Sequence, residues 1–192
     1  MNRLHAALPT SIKKYAWDLK YGLLGYPQFV APKDVLQYLP SRLSENSSIL
    51  DLGCGRGSLL RALRAKGWTG YYCGVDISKV AIHNAGKLAD QRSSWSVSDF
   101  ELFRSPFKWD VVTMIESLCY VKLEEIPAFL PAVIGLLTEH GALLFRLHDL
   151  EKHREYVDSV YRLYPQTQKV DKNLFCVSAR AADRHYPCEA PE

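Results

Sequence analysis

The sequence predicts an α/β protein with three layers, doubly wound, whose mostly parallel seven-stranded sheet ends in a C-terminal hairpin with one antiparallel strand. Short apolar runs alternate with amphipathic stretches along the 192 residues, as in a parallel sheet joined by crossover helices. Near the end of the chain, two short apolar runs lie only about three residues apart, a spacing typical of hairpins. With 47 % hydrophobic and 23 % charged residues, the composition suits a globular domain with a full core.

The first part of the chain, 1–45, is predicted to form a helical cap. A helix is expected over 11–23 and a second, shorter one over 32–39, with a proline in its first turn. The apolar side of the first helix is expected to comprise Ile12, Tyr15, Ala16 and Leu19.

The core domain is predicted for 46–180, and a polar, loosely ordered tail for 181–192. Pro131 should kink the third of four core helices, and Gly141 should mark the turn into the fifth strand. The predicted strands are 48–52, 70–75, 95–97, 110–115, 142–147, 167–170 and 174–178. The predicted helices between them are 58–66, 78–90, 123–137 and 150–164.

Cysteine use and hydropathy indicate a reducing, aqueous compartment. The five cysteines are scattered and never form a CxxC pair, so neither a disulfide framework nor a metal site is expected. No stretch approaches the roughly 20 apolar residues needed to cross a bilayer, and the first ten residues lack the core of a signal peptide. We therefore expect a cytoplasmic protein without a membrane partner, as a monomer or homodimer. The mild net charge of +3 does not indicate a nucleic-acid binder.

A glycine-rich turn joins the first core strand to the helix that follows it. Its residues are Asp51-Leu-Gly-Cys-Gly-Arg-Gly57, with glycines at 53, 55 and 57 around Cys54. Glycine lets the backbone turn sharply and approach a ligand with no Cβ in the way, and the following helix points free N–H groups at that ligand. The strand–turn–helix context predicts a cofactor site.

Three further polar positions follow later strands. Asp76 ends the second strand about 20 residues beyond the glycines, where a carboxylate can accept both hydroxyls of a ribose, and Ile77 offers an apolar surface to a purine. Ser98, Asp99 and Phe100 follow the third strand, where Asp99 is suited to an adenine amino group. Ile115 and Glu116 lie at the carboxyl end of the fourth strand, on the ligand side of an open α/β sheet.

In this order, the motifs resemble those of class I S-adenosylmethionine-dependent methyltransferases, which are Rossmann-like. The resemblance covers about half of the chain, from Ser48 to about Leu147. It implies that the loop 53–57 contacts the methionine part of the cofactor and that Asp51 fixes that loop and the methionyl amine. It also implies that Asp76 binds the ribose, Ile77 and Phe100 contact adenine, Ser98 and Asp99 form the adenine-binding pair, and Ile115 and Glu116 lie near the sulfonium.

A charge argument separates this interpretation from a nicotinamide site. A dinucleotide fingerprint has the spacing Gly-x-Gly-x-x-Gly, with pyrophosphate on the helix N-terminus. Here the spacing is Gly-x-Gly-x-Gly after Asp51, whose carboxylate would repel pyrophosphate and attract an ammonium. Structural alternatives stay open for single residues: Asp76 as a helix-start acid, Asp99 as a loop cap, Phe100 as core and Cys54 as a buried filler.

Glu116 and His148 are the candidate catalytic residues, because each ends a predicted strand on the ligand side and can take a proton from a nucleophile. Their alternatives are a cofactor-positioning acid and a helix-start residue. The predicted function is methyl transfer from S-adenosylmethionine to a small-molecule metabolite, which would leave S-adenosylhomocysteine.

Two alternatives remain: methylation of RNA or protein, and a regulatory protein that binds the cofactor without catalysis. The short link between the last two strands leaves the cap and the loop after Glu116 to cover the substrate, since many family members have an insertion there. The aromatic residues of the cap are either a lid or core packing: Tyr15, Trp17, Tyr21, Tyr26 and Phe29.

Overall fold

A computed structural model describes residues 8–23 and 30–182, with the side chains of 181 and 182 left out. Tyr26, Phe29 and the predicted tail beyond 182 lie outside the described residues. The described helices are α1 (Thr10–Gly22), α2 (Lys33–Tyr38), α3 (Ser58–Ala65), α4 (Lys79–Ala85), α5 (Ile126–Ile134) and α6 (Arg154–Leu163). The described strands are β1 (Ser48–Leu52), β2 (Tyr71–Asp76), β3 (Ser93–Val97), β4 (Trp109–Ile115), β5 (Leu137–Arg146), β6 (Gln168–Lys169) and β7 (Leu174–Ser178).

The seven strands form one sheet in the order β3-β2-β1-β4-β5-β7-β6. Neighbours from β3 to β5 pair in parallel, whereas β7 runs antiparallel to both β5 and β6. The predicted fold class is therefore confirmed. After β3, the chain crosses the sheet and continues with β4 on the other side of β1. The boundary between β1 and β4 is thus the switch point, where open α/β sheets bind ligands.

Two apolar cores cover the two faces of the sheet. One contains Met114 and Phe145 and packs against α5 and α6, and the other contains Ile49 and Leu144 and packs against α2 and α3. Residues that are neighbours in β4 and β5 alternate between the two cores, because successive side chains of a strand point to opposite faces. No helix in the described part of the chain is long and apolar enough to span a membrane.

Strand β5 differs from its prediction. It begins at Leu137, inside the helix expected over 123–137, and it runs through Gly141, where a turn was expected. A Cβ at Gly141 would lie 2.8 Å from the carbonyl oxygen of Trp109, and the β4–β5 register shifts there. Gly141 therefore lets β5 approach β4 closely where the pairing of the two strands is irregular, a common reason for glycine inside a strand. Helices α4 and α6 are likewise shorter than expected.

Helix α1 forms where it was predicted but turns its other side to the protein. The expected apolar side is exposed, with Ile12 49 % and Tyr15 71 % accessible. Lys13, Trp17 and Tyr21 instead line a cavity in the core domain. The side of α1 that contacts the core domain mixes aromatic and polar residues: Trp17 packs edge to face against Tyr120, and Lys13 and Asp18 bond to Glu101 and Ser78.

Candidate active site

A cavity of about 450 Å³ lies over the carboxyl ends of the parallel strands, at the switch point between β1 and β4. Its walls bring together most of the residues predicted for the site, although these come from five strand ends. The predicted residues that line it are Asp51, Gly53, Cys54, Gly55, Asp76, Ile77, Asp99, Phe100, Ile115, Glu116 and His148. Gly57 and Ser98 are not among the described lining residues.

The glycine loop is held by the end of β2. The backbone amides of Gly53 and Cys54 both donate to the carbonyl oxygen of Val75, at 2.8 and 3.0 Å. Gly53 has φ +85°, and a Cβ there would lie 2.5 Å from the Cβ of Ser117. Gly55 has φ +54°. The loop therefore needs glycine for its backbone conformation and, at Gly53, for space as well.

Asp76 joins the glycine loop to the start of α4. Its Oδ2 accepts a hydrogen bond from the Gly55 amide and its Oδ1 one from the Ser78 amide, both at 2.9 Å. Burial raises the pKa of Asp76 to about 6, although these two amide bonds act in the opposite direction. Each carboxylate oxygen keeps a lone pair for a ligand, so the position suits the hydroxyls of a ribose.

Asp51 lies at the floor of the cavity on β1. Its two oxygens accept hydrogen bonds from the hydroxyl groups of Tyr72, at 2.6 Å, and Thr113, at 2.7 Å. Burial raises its pKa to about 6, whereas the two hydroxyl bonds lower it. Within the described residues Asp51 makes no hydrogen bond to the loop, and the bonds from β2 to the loop come from Val75 and Asp76.

The third acid, Asp99, both caps its own loop and borders the cavity. Its Oδ1 accepts from the Glu101 amide at 3.1 Å, and its Oδ2 from the hydroxyl of Thr10 in α1 at 3.0 Å. Phe100 beside it lines the cavity and packs against Phe129, with 6.0 Å between ring centroids. Asp99 is therefore both a loop cap and a residue of the cavity wall, and Phe100 both packs in the core and lines the cavity.

Local structure explains Gly57 and Ser98, whereas Cys54 is a buried residue of the cavity wall. Gly57 precedes α3 with φ +74°, and a Cβ there would lie 2.6 Å from the Trp95 ring. The hydroxyl of Ser98 donates to the carbonyl oxygen of Asp99 at 3.1 Å. Burial, followed by the charges of Asp76 and Asp51, raises the pKa of the Cys54 thiol well above its ordinary value. Cys54 is therefore a neutral lining residue and not a nucleophile.

The other end of the cavity holds a chain of charged groups at the ends of β4 and β5. Glu116 has φ +60°, and its Oε2 accepts hydrogen bonds from the backbone amide of His148 and from His148 Nδ1, both at 2.8 Å. Its Oε1 pairs with Nη1 of Arg146, and Nε of Arg146 donates to Asp34 Oδ2 at 2.7 Å. The carboxylate of Glu116 therefore bridges Arg146 at the end of β5 and His148 just beyond it.

Helix α1 covers the cavity and is tied to the residues that surround it. Asp18 accepts from the hydroxyl of Ser78 at 2.6 Å and from the Val80 amide at 3.2 Å. Lys13 forms a salt bridge with Glu101 at 2.9 Å. Arg56 in the glycine loop donates to the carbonyl oxygen of Tyr21 at 2.6 Å. Of the proposed aromatic lid residues, Trp17 and Tyr21 line the cavity.

Several lining residues were not predicted from the sequence. Arg146 is the last residue of β5, and its position at a strand end beside a candidate base was an available signal. Lys152 lies four residues after His148, and this spacing did not indicate that Lys152 belongs to the site. The unpredicted charged lining residues are Lys13, Arg56, Arg61, Glu101, Arg146 and Lys152.

The comparisons with known proteins agree with this arrangement. A family model described as "Methyltransferase domain" matches residues 26–180 of the chain. No protein in the search of curated sequences matches.

Two solved structures show the same fold at low sequence identity, and a third is similar over part of its length. The N-methyltransferase NodS from Bradyrhizobium japonicum WM9, in complex with S-adenosyl-L-homocysteine, aligns with a TM-score of 0.57 and 15 % identity, over 90 % of this chain and 87 % of that one. A putative methyltransferase in a complex with the Haloferax volcanii Trm112 activator aligns with a TM-score of 0.54 and 22 % identity, over 80 % and 75 %. The plantazolicin methyltransferase BpumL aligns at 0.49 and 22 % identity, over 66 % of this chain, which spans only 47 % of that protein.

Proposed function

Because the chain belongs to the methyltransferase domain family, we propose that it transfers a methyl group from S-adenosylmethionine to a nucleophilic atom of a small-molecule metabolite. The family match confirms the enzyme class predicted from the motifs. The observation that carries the proposal is a pair of buried carboxylates, Asp51 and Asp76, which line the cavity and form no ion pair within the described residues. Buried carboxylates without a counterion favour a positively charged ligand.

The residues of the cavity fit this cofactor along its length. Asp76 would accept the ribose hydroxyls, and Ile77, Asp99 and Phe100 would surround adenine at the ends of β2 and β3. The glycine loop would leave room for the methionyl part, and Asp51 would hold its ammonium group. The bound cofactor supplies an electrophilic methyl group, so the protein needs to position the acceptor and exclude water.

His148, oriented by Glu116, is suited to remove a proton from the acceptor. With Nδ1 of His148 bonded to the Glu116 carboxylate, the imidazole keeps Nε2 as the proton acceptor. Glu116 therefore acts as a positioning residue, since Arg146 and His148 occupy both of its oxygens. The base is His148, oriented by a carboxylate as in other catalytic pairs.

A small and partly aromatic acceptor suits the walls around this end of the cavity. Trp17 and Tyr120 meet edge to face with 5.1 Å between ring centroids, and both line the cavity. Helix α1 contributes Lys13, Trp17 and Tyr21 to the wall, and the volume of about 450 Å³ is of the size that holds small ligands. A cavity of this size with aromatic walls favours a metabolite over a polymer.

The test has two parts: binding and transfer. Isothermal calorimetry with S-adenosylmethionine and S-adenosylhomocysteine should give dissociation constants in the micromolar range or below for the wild type. Asp76→Asn should weaken both at least about tenfold, because the ribose contact is charge-assisted. Asp158→Asn, on the exposed side of α6, is the matched control and should bind as the wild type does.

Transfer of a labelled methyl group is then measured against panels of metabolites, RNA and protein. Labelled product in the metabolite panel supports the proposal. Product only with RNA or protein refutes the substrate class, and binding without transfer in every panel indicates a regulatory protein. No binding of either form of the cofactor at millimolar concentration refutes the assignment itself.

A further inference from the structure

The charges that line the cavity are not the same at its two ends. The ends of β1, β2 and β3 contribute the carboxylates Asp51, Asp76 and Asp99. The other end is mixed: the end of β4 contributes Glu116, and the segment that begins at the end of β5 contributes Arg146, His148 and Lys152. The three aspartates correspond to the proposed cofactor position, so Arg146 and Lys152 border the space that remains for the methyl acceptor.

Arg146 is held in one orientation by two carboxylates. Its Nε donates to Asp34 and its Nη1 pairs with Glu116, while its Nη2 makes no hydrogen bond within the described residues. A planar guanidinium fixed at two corners presents the N–H groups of the third in a defined direction. Arg146 lines the cavity, and its Nη2 donors have no partner among the described residues.

Lys152 adds a second positive charge beside Arg146. Asp34 and Glu116 are both paired with Arg146, whereas the exposed ammonium group of Lys152 forms no ion pair with any residue that the structure describes. Its backbone amide donates to Asp149 at 3.0 Å, which fixes the start of its segment beside the cavity. An ammonium without a counterion beside oriented guanidinium donors is an arrangement that binds an anion.

We propose that the methyl acceptor carries an anionic oxygen group, a carboxylate or a phosphate, which Arg146 and Lys152 bind at the β5 end of the cavity. This inference rests on the proposed function. The aromatic pair Trp17 and Tyr120 then contacts the body of the acceptor, and the anionic group fixes its direction. One end bound by charge and the other by aromatic rings leaves the nucleophilic atom between them, within the region that His148 borders.

The experiment uses the full chain saturated with S-adenosylhomocysteine and three aromatic probes of similar size. Benzoate carries a carboxylate, phenyl phosphate carries a phosphate, and benzyl alcohol is neutral. Calorimetric or NMR titration should show binding of one or both anions at least about tenfold tighter than binding of benzyl alcohol. The tighter of the two anions identifies the preferred group.

Charge variants assign the binding to this site. Lys152→Gln should weaken the anion at least about fivefold and leave benzyl alcohol unchanged. Lys66→Gln, at the exposed end of α3 and outside the cavity, should leave all three probes unchanged. Equal binding of the anionic and neutral probes, or anion binding that Lys152→Gln does not weaken, overturns the inference.

The proposed function has a separate readout in these experiments. The dissociation constant of S-adenosylhomocysteine is measured first for each variant and should be the same in Lys152→Gln and the wild type. If the cofactor binds and the anions do not, only this inference fails. If the cofactor itself does not bind, the proposed function fails before the anions are tested.

Discussion

The carboxylate of Asp76 accepts a hydrogen bond from the backbone amide of Gly55 at 2.9 Å, so the end of β2 holds the middle of the glycine loop. The acid that would bind the ribose therefore also shapes the loop that would enclose the methionyl part. On the neighbouring strand, Asp51 is held by the hydroxyl groups of Tyr72 and Thr113. Both acids are buried, and neither forms an ion pair within the described residues.

The affinity for S-adenosylmethionine should rise with pH through about 6. Burial raises the pKa values of Asp51 and Asp76 to about 6, and a cationic ligand binds their ionised forms. One pH unit below such a pKa only about a tenth of each group is ionised, so the dissociation constant at pH 5 should be at least about tenfold larger than at pH 7.5. Calorimetry at several pH values measures this, with Asp51→Asn giving a shallower dependence. A dissociation constant that is the same from pH 5 to 7.5 contradicts the prediction.

The Asp51→Asn variant should be more stable than the wild type above pH 6. A carboxyl group whose folded pKa is raised stabilises the folded state fully below its unfolded pKa, and that stabilisation is lost as pH rises through about 6. An amide has no charge to bury, and it can still bond the hydroxyl groups of Tyr72 and Thr113. The melting temperature of the variant minus that of the wild type should be smallest near pH 4.5 and positive at pH 8. Asp158→Asn should show no such trend, and a variant that is less stable at pH 8 refutes the account.

Gly53 and Gly67 allow backbone strain to be separated from lack of space. Both have φ +85°, but a Cβ at Gly53 would lie 2.5 Å from the Cβ of Ser117, whereas nothing lies within 4 Å of one at Gly67. Gly67→Ala should cost about 1–2 kcal/mol from the left-handed conformation alone. Gly53→Ala should cost more in denaturant unfolding and should also weaken S-adenosylhomocysteine binding. Equal costs for the two variants, with binding retained in both, would show that the loop can shift away from Ser117.

Short-range patterns explain what could be predicted from the sequence. The strand apolar runs, the glycines 53–57 and the helix cap at Ser78 are local signals, and their positions agree with the structure. The aspartates at the ends of β1 and β2 and in the loop after β3 could be placed as well, because the carboxyl ends of parallel strands share one edge of the sheet.

Contacts between distant segments explain what could not be predicted. The Arg146–Asp34 pair joins residues 112 positions apart, and the Asp18–Ser78 bond joins residues 60 apart. The side of α1 that contacts the protein is selected by contacts between distant segments, both polar, as in Asp18–Ser78, and aromatic, as in Trp17–Tyr120. The need for glycine at position 141 likewise comes from a neighbouring strand, because a Cβ there would meet the carbonyl oxygen of Trp109.

His148 should matter for turnover and not for cofactor affinity. His148→Ala removes the proposed base, so with an acceptor found in the panel kcat should fall by about 10²–10⁴, while S-adenosylhomocysteine binds as before. Glu116→Gln should lower kcat less and change the pH profile of kcat/KM, because the imidazole loses its carboxylate partner. His83→Ala, on the exposed side of α4, is the control. Full activity of His148→Ala across the pH range excludes the base role.

Helix α1 should be released from the cavity when Asp18 is replaced. The Asp18 carboxylate accepts two hydrogen bonds at the start of α4, and Asp18→Ala leaves the Ser78 hydroxyl and the Val80 amide without that partner. Because buried residues are absent from α1 itself, such polar contacts hold the helix in place, and their loss should increase amide hydrogen exchange over 10–22. S-adenosylhomocysteine should bind several-fold more weakly, since Trp17 and Tyr21 then cover the cavity for less of the time. Exchange rates and affinity that both match those of Asp158→Ala would mean that α1 is held by other contacts.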